Sequence, residues 1–270
     1  MKVSILIPVY NEFPTLPLVL ERVLHAPLPA GCEKEIVVVD DGSTDGTSDL
    51  LKTYSCDPLL LVHHSAENFG KGAALRIGLA KASGDVVLVQ DGDLEYDPRD
   101  YHAILQPLVD GQADVVYGSR FRNRIEGMRW RNRLANRILT LAANLLFQAG
   151  ITDEATAYKA FRVPLLRCLR LRCRRFEFCP EVTAKLRRIG CAIREVPISY
   201  NPRGILDGKK IRAKDGLQAL WTLVRYRFAP LRSFYVVGDA AVPSPRRLLR
   251  AARVQHGLDR VEDDVSVQPE

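Results

Sequence analysis

Three acidic residues stand at alternate positions directly after a short apolar run near the middle of the chain. The apolar run at 86–89 predicts a buried strand, and the acidic residues are Asp91, Asp93 and Glu95. In an open α/β sheet, ligands bind beyond the carboxyl ends of the strands. Two carboxylates one residue apart can reach a single hard cation there, and Mg²⁺ and Mn²⁺ prefer such oxygen ligands. A D-x-D pair is common, and taken alone this spacing is more typical of a solvated acidic turn. The rest of the chain strengthens the prediction of a divalent metal site.

The elements before this strand repeat a pattern of strand, loop and helix. The predicted strands are 3–7, 35–39, 59–63 and 86–90. Three helices are predicted between them. The first begins near Pro14, the second follows an N-cap at Thr44 or Asp45, and the third begins within 68–72. This repetition predicts a parallel sheet with right-handed crossovers. No G-x-G-x-x-G motif follows the first strand, and no G-x-x-x-x-G-K-[ST] loop is present. The pattern therefore supports neither a dinucleotide-binding fold nor a P-loop NTPase.

Polar residues follow the predicted strands or begin the predicted helices, and these positions lie at one edge of the sheet. These residues are Glu12, Asp40, Asp41, Lys71, Asp91 and Asp93. Because the carboxyl ends of parallel strands meet at a common edge, we expect the side chains to converge. Such a layout is typical of a nucleotide site.

Four motifs, taken in order along the chain, resemble those of family 2 glycosyltransferases. They are Pro8–Glu12, Val39–Gly46, Asn68–Gly72 and Gln90–Leu94. The likeness covers roughly residues 3–228, and it points to the polyprenyl-phosphate sugar transferases, which include the dolichol-phosphate mannose synthases. The resemblance implies the GT-A fold, an α/β architecture with a Rossmann-like, mostly parallel sheet flanked by helices and followed by C-terminal amphipathic helices.

The resemblance also implies a site for a nucleoside diphosphate sugar, with GDP- and UDP-sugars as the expected donors. The implied donor-binding residues are Pro8, Tyr10, Glu12, Asp40, Lys71, Gln90, Arg203 and Lys209. The implied ligands of Mg²⁺ or Mn²⁺ are Asp91, Asp93 and Glu95, and Glu95 stands where the polyprenyl-phosphate enzymes usually have Gln. Ribose recognition is assigned to Asp40, and a turn-forming role to Asp41, although either side chain can bond loop amides. Lys71 is suited equally to a phosphate and to a surface carboxylate.

The implied catalytic residues are Asp153, Asp93 and Arg120. Residues 151–162 resemble the family stretch T-D-x-x-T-x-Y-K-x-F-R, in which an acidic residue lies on the sugar and acceptor side. Asp153 is the first choice for that position and Glu154 the second, with a helix N-cap formed by Thr152 and Asp153 as the alternative. By its position in the family pattern, Arg120 is expected to face a phosphate.

Seven arginines crowd residues 120–137, where Glu126 is the single acidic residue. Arg129, Arg133 and Arg137 are four residues apart and predict one basic stripe on a helix. An adjacent apolar stripe consists of Leu134, Ile138, Leu141 and Leu145. Together the stripes suit a helix that lies on anionic lipid. The alternatives are a core helix with a solvated basic edge, and a nucleic-acid patch, which the sparse aromatic residues disfavour.

Two later segments extend this pattern. Residues 201–210 form a Gly-rich basic loop that resembles the family's mobile loop over the diphosphate, with Arg203 and Lys209 as phosphate contacts. A charged loop without a substrate is the alternative. Residues 215–227 predict a second amphipathic helix, which is another candidate for lying on a bilayer.

The acceptor decides which catalytic groups are needed. A phosphate monoester has a second pKa near ~6 and is largely dianionic at neutral pH, so it requires cations rather than a base. Arg120 and Arg133 are available for that purpose, whereas a hydroxyl acceptor would require a general base such as Asp153. The surplus of arginine favours a phosphate acceptor, and the family resemblance implies that this acceptor is a polyprenyl (dolichyl or undecaprenyl) phosphate. The resemblance also implies inversion, so we predict a metal-dependent, inverting hexosyltransferase. The alternatives are transfer to a hydroxyl of a glycan or glycolipid, nucleotidyl transfer, and a non-catalytic protein that binds polyanions or membranes.

Composition sets the remaining expectations. The chain has 270 residues, a formal net charge of +7 and six cysteines without a C-x-x-C pair, which predicts free thiols in a reducing cytoplasm. The sequence shows no signal peptide and no apolar run of about 20 residues. We expect a cytoplasmic protein with peripheral contact to the inner face of an anionic membrane and no nucleic-acid partner. Residues 1–232 are predicted to form the GT-A domain, and 233–270 a partly disordered extension.

Overall fold

The computed structural model describes residues 1–54, 56–123, 127–202 and 213–234. Its strands are β1 (Lys2–Val9), β2 (Glu33–Asp40), β3 (Leu60–His64), β4 (Val86–Val89), β5 (Val115–Ser119), β6 (Lys159–Arg162) and β7 (Arg194–Pro197). Its helices are α1 (Leu16–His25), α2 (Thr47–Thr53), α3 (Lys71–Lys81), α4 (Tyr101–Val109), α5 (Trp130–Phe147), α6 (Val163–Cys168), α7 (Phe178–Arg188) and α8 (Ala213–Phe228).

Within these ranges, seven strands form one sheet in the order β3-β2-β1-β4-β6-β5-β7. β1 is parallel to both β2 and β4, and β2 is parallel to β3. β6 runs antiparallel between β4 and β5, and β5 is parallel to β7. The predicted mostly parallel sheet and its first four strands are confirmed. Because β1, β2 and β4 run in one direction, the loops that follow them open at the same edge.

The core explains why these strands are apolar on both faces. Alternate residues of a strand point to opposite sides of the sheet. Ile5 and Ile7 of β1 therefore join one core cluster with α1 and α4, whereas Leu6 joins the other with α3. β4 is buried at all four of its positions. Helices cover both faces, as is usual for parallel strands, and the carboxyl end of β4 is held rigidly at the sheet edge.

The start of α2 differs from the prediction. The helix begins at Thr47, and the residue before it is Gly46, whose φ of 95° is accessible to glycine with little strain. Neither Thr44 nor Asp45 is therefore the N-cap residue. Asp45 still satisfies one backbone amide at the start of the helix, because its carboxylate accepts a hydrogen bond from the Thr47 amide at 3.0 Å.

The C-terminal part of the described chain contains α8, the predicted second amphipathic helix. It packs against α5 and α7 on one side of the sheet. Among the helices described, none combines the length and the apolar character needed to cross a membrane. Residues 235–270 lie outside the described residues, so the division at 232–233 stays a prediction.

Candidate active site

A cleft of about 1020 Å³ lies at the sheet edge where the polar residues were expected to converge. Its walls include several predicted site residues, namely Pro8, Tyr10, Glu12, Lys71, Asp91, Asp93, Glu95 and Arg120. They come from β1 and the loop after it, the start of α3, the loop after β4 and the end of β5. Their convergence on one cavity follows from the common direction of the strands. Arg203 and Lys209 lie outside the described residues.

Lys71 occupies the first position of α3, and its ammonium group forms an ion pair with Asp91. Burial alone would lower the pKa of Lys71, but the charges of Asp91, Cys179 and Asp93 and the hydrogen bond to Asp91 together raise it. Gly70 and Gly72 allow this placement because they lie against the backbone of 174–175. A β-carbon there would come within 2.5 Å and 2.9 Å of carbonyl oxygens. Lys71 thus pairs with a carboxylate of the cleft itself.

The loop after β4 places two aspartates in the cleft and ties its third acidic residue to a tyrosine. Asp91 and Asp93 both face the cleft. The Glu95 carboxylate instead accepts a hydrogen bond from the Tyr200 hydroxyl at 2.9 Å. In the described parts of the chain, no three Asp, Glu, His or Cys side chains are grouped as a metal site. Glu95 nevertheless lines the cleft with the two aspartates, and the predicted set of three metal ligands stays a prediction. Mg²⁺ commonly takes one or two protein carboxylates together with substrate phosphates and water.

Of the two aspartates after β2, only Asp41 lines the cleft. Asp40 does not line the cleft, and its carboxylate accepts hydrogen bonds from the Ser43 amide at 3.0 Å and the Ser48 hydroxyl. His64 approaches the same carboxylate at 3.0 Å. Burial opposes ionisation, but these hydrogen bonds lower the pKa of Asp40. Asp41 does line the cleft, although its carboxylate also fixes the loop at 69–70. The expected ribose ligand is therefore a loop-forming residue.

Gln90 also lies away from the cleft wall. Its side-chain oxygen accepts hydrogen bonds from the hydroxyls of Tyr101 at 2.7 Å and Tyr158 at 2.6 Å. Its amide donates to the backbone carbonyl of Asp91 at 2.9 Å. The side chain is completely buried. Gln90 therefore holds the metal-side loop in place, and the predicted direct contact with the donor is not supported.

Arg120 and Asp153 form a buried, two-point ion pair. Arg120 donates to the two oxygens of Asp153 at 2.7 Å and 2.8 Å, and its backbone amide adds a bond at 3.0 Å. Asn136 donates the fourth bond at 2.7 Å. Burial would raise the pKa of Asp153, but the charge of Arg120 lowers it. An ionised carboxylate has about four acceptor positions. These positions on Asp153 are all occupied by Arg120 and Asn136, and the contacts hold the Arg120 guanidinium group in one orientation.

The loop that carries Asp153 is held by residues that sequence reasoning did not single out. Glu195 accepts bonds from the amides of Thr152 and Asp153 at 2.8 Å and 3.1 Å. On α5, three polar residues at intervals of four bond to residues 151–155; they are Asn136, Thr140 and Asn144. That spacing was the available signal, since residues four apart share one face of a helix and therefore predict a polar stripe beside the basic and apolar ones. Thr152 and Asp153 do not cap a helix, because none begins there.

Glu154, the second choice in this segment, is an unusual group in the cleft wall. It is 1% exposed, and neither carboxylate oxygen has a partner within ordinary hydrogen-bond distance among the described residues, although the nearby Thr183 hydroxyl lowers its pKa. Burial raises the pKa of Glu154 to about 8, against the opposing charge of Lys159. The carboxyl group is therefore largely protonated at neutral pH and can donate as well as accept a hydrogen bond.

The far end of the same cleft is apolar. The exposed apolar residues of α5 are Trp130, Leu134, Ile138, Leu141 and Leu145, and those of α8 are Leu217, Trp221, Val224 and Phe228. We call this surface the α5–α8 apolar face. Ile138 and Leu217 also line the cleft, together with Arg129. The core-helix interpretation of the apolar stripe is therefore wrong, because the stripe points outward beside the cleft.

Comparison with known proteins agrees with this architecture. Residues 4–170 match the sequence model of glycosyl transferase family 2. An undecaprenyl-phosphate mannosyltransferase of Micrococcus luteus is 32% identical over 222 residues, which span 77% of this chain and 87% of that protein. An undecaprenyl-phosphate 4-deoxy-4-formamido-L-arabinose transferase of Serratia proteamaculans is 29% identical over 250 residues, which span 90% and 73%.

A similar fold occurs in glucosyl-3-phosphoglycerate synthase of Mycobacterium tuberculosis, solved with Mn²⁺, UDP and glucosyl-3-phosphoglycerate. The TM-score is 0.66 at 22% identity, and the match covers 85% of this chain and 81% of that one. The likeness confirms the predicted GT-A fold. The family model spans more than half of the present chain. The chain therefore belongs to glycosyl transferase family 2.

Proposed function

We propose that the protein transfers a hexosyl group from a nucleoside diphosphate sugar to a polyprenyl phosphate at a membrane surface. One observation carries the proposal: a single cleft runs from Asp91 and Asp93 at the sheet edge to Ile138 and Leu217 on the α5–α8 apolar face. A polyprenyl phosphate has a charged head and an apolar tail. A cavity that is ionic at one end and opens beside exposed apolar helices matches both parts.

The sheet edge is the donor end of the cleft. Pro8, Tyr10 and Glu12 lie where the base and ribose of a GDP- or UDP-sugar would bind. Asp91 and Asp93 would hold Mg²⁺ or Mn²⁺, which when bound offsets the negative charge on the departing diphosphate. Lys71, whose ammonium group is held beside Asp91, adds a second positive charge at the same place. Inversion at the anomeric carbon is part of the proposal.

Arg120 is the cation for the acceptor phosphate. Its guanidinium group is fixed by Asp153 and lies 4.9 Å from the centre of the Tyr200 ring. Arg133 is exposed nearby, and both arginines lie within 6.0 Å of the Phe121 ring centre. A phosphate nucleophile needs no base. Because Asp153 has its acceptor positions filled, the site favours a phosphate over a hydroxyl acceptor.

The α5–α8 apolar face supports peripheral contact with an anionic membrane. The arginines at 129, 131, 133 and 137 of α5 are exposed beside it. Apolar side chains next to basic ones suit a helix that lies in the lipid interface. Two relatives carry names that specify undecaprenyl phosphate, which is a membrane lipid. We propose contact with the cytoplasmic leaflet. Membership of the family favours this enzyme over a non-catalytic protein that binds polyanions.

The test is release of a nucleoside diphosphate from a panel of UDP-, GDP- and dTDP-sugars, with Mg²⁺ or Mn²⁺, in the presence and absence of a short polyprenyl phosphate. We expect release that requires both lipid phosphate and metal and that is lost in Asp93→Ala. Asp49→Ala is the matched control, because Asp49 is an exposed carboxylate on α2 that pairs with Lys52. Release that is independent of lipid phosphate would contradict the acceptor. Release of pyrophosphate instead would indicate nucleotidyl transfer.

A further inference from the structure

Tyr200 lies between two charged groups at opposite sides of the cleft. It follows β7 and lines the cleft wall. Its hydroxyl donates to the Glu95 carboxylate at 2.9 Å, and the Arg120 guanidinium group lies over its ring, 4.9 Å from the centre. Glu95 belongs to the loop after β4 that also carries Asp91 and Asp93, which we call the metal-side loop (residues 91–95). A single side chain therefore contacts both this loop and the cation proposed for the acceptor phosphate.

The surroundings of Tyr200 hold it in this position. The amide of the preceding residue donates to the Asp100 carboxylate at 2.7 Å, and the Asn201 amide donates to the Glu95 carbonyl at 2.8 Å. The Tyr96 ring packs edge-on against the Tyr200 ring, with 5.3 Å between the centres. Burial and the charge of Glu95 raise the pKa of Tyr200. The hydroxyl is therefore protonated at neutral pH and remains a hydrogen-bond donor.

The Tyr200 ring and Asp153 restrain Arg120 in different ways. Asp153 accepts hydrogen bonds from two of the guanidinium N–H groups. The ring instead attracts the cation through its π face, which is effective within about 6 Å of the ring centre. Because the hydroxyl of the same tyrosine bonds to Glu95, Tyr200 also fixes the distance from Arg120 to the metal-side loop. A misplacement of about 1 Å between reacting groups can cost roughly 100-fold in rate.

We infer that Tyr200 is a positioning residue that sets the place of the acceptor phosphate relative to the donor. Its ring supports Arg120, and its hydroxyl ties the ring to the metal-side loop. The inference rests on the proposed function, because it requires Arg120 to bind the acceptor phosphate. The two parts of the side chain have separate consequences. Loss of the ring should weaken phosphate binding, whereas loss of the hydroxyl alone should leave the phosphate bound but misplaced.

The experiment compares wild-type protein with Tyr200→Phe and Tyr200→Leu. Calorimetric titration with a short prenyl phosphate, without donor or metal, gives the acceptor affinity, and turnover at saturating donor and metal gives kcat. We expect Tyr200→Phe to keep the affinity within about threefold and to lower kcat at least about 10-fold, because a hydrogen bond to a charged group is lost. Tyr200→Leu should in addition weaken the affinity at least about 10-fold, because the cation–π contact is lost as well.

Tyr54→Phe and Tyr54→Leu are the matched controls. Tyr54 is also partly buried and packs against the same core cluster as Tyr200, but it does not line the cleft. Both control variants should keep the wild-type affinity and kcat.

Three results would overturn the inference: an unchanged kcat in Tyr200→Phe, an unchanged affinity in Tyr200→Leu, or equal losses of affinity and kcat in Tyr200→Phe, which would indicate a general packing role. These failures leave the proposed function intact. Wild-type protein that neither binds the prenyl phosphate nor releases a nucleoside diphosphate would reject the proposed function together with the inference, so the two failures are distinguishable.

Discussion

At the scale of single residues, the polar groups of the cleft differ in how far the sequence could predict them. Asp91, Asp93 and Lys71 were predictable because they follow a strand or start a helix directly. Asp40 and Asp41 were not, because neighbouring residues at a strand end point in opposite directions and the loop decides which one meets the cleft. The missing partners of Glu154 depend on residues far away in the chain, so no local pattern could reveal them.

Asp153→Asn tests whether Asp153 orients Arg120 or accepts a proton as a general base. The change leaves a buried guanidinium without its counter-charge, so the free energy of unfolding should fall by about 3 kcal/mol or more. kcat/KM should fall as well, because Arg120 is no longer fixed. The acidic limb of the pH–rate profile should keep its midpoint, since Asp153 takes up no proton. Asp49→Asn is the control for the loss of a surface carboxylate. Disappearance of the acidic limb would instead identify Asp153 as a general base.

Glu154 should make stability depend on pH. Its pKa is about 8 in the folded protein and 4.5 as the ordinary value. Between these values only the unfolded chain releases the proton, so folding stability falls as pH rises, and the loss is complete above about pH 8. From pH 5.5 to 7.5 the wild-type protein should lose roughly 2–3 kcal/mol relative to Glu154→Gln. Urea unfolding of both proteins at the two pH values measures this difference, and equal pH dependence would contradict it.

At the scale of elements, helix α5 presents three different sets of side chains. Its polar face holds the loop at 151–155, its apolar residues are exposed, and its arginines lie beside them. The stripes could be predicted from spacing, but their directions could not, because exposure of the apolar stripe depends on where α7 and α8 pack. β6 was missed for a related reason. The buried side chains of Lys159 and Arg162 donate there to the carbonyls of Glu154 and Leu108, which are partners that no local pattern reveals.

Charges placed on the α5–α8 apolar face should abolish membrane contact. Leu145 and Phe228 are suitable positions because they are 74% and 79% exposed, so a carboxylate there remains solvated. We expect Leu145→Glu combined with Phe228→Glu to reduce co-sedimentation with anionic vesicles at least tenfold. The unfolding midpoint should change little. Leu59→Glu, at an exposed leucine outside this face, is the control. Unchanged vesicle binding by the double variant would remove the face from the proposal.

At the scale of the whole molecule, the cleft combines parts that are far apart in sequence. β1, α3 and the loop after β4 form its ionic end, whereas α5 and α8 form its apolar end. The order of the motifs predicted the ionic end, because the repeated strands fix a common edge. The junction between the ends was not predictable, since it depends on how α8 packs on α5 across about 65 intervening residues.

Kinetic constants measured with two different acceptors should distinguish the ionic end of the cleft from its apolar end. A short prenyl phosphate in solution needs only the site that binds its phosphate group. A long polyprenyl phosphate in vesicles also requires the α5–α8 apolar face to contact the membrane. Leu145→Glu combined with Phe228→Glu should therefore raise KM for the vesicle acceptor at least tenfold and leave kcat/KM for the short acceptor within about twofold, because the head site stays intact. Asp93→Ala should instead lower kcat for both acceptors. Equal losses on both acceptors in the double variant would mean that the apolar face supports the catalytic site itself, and the division of the cleft into a donor end and a membrane end would have to be abandoned.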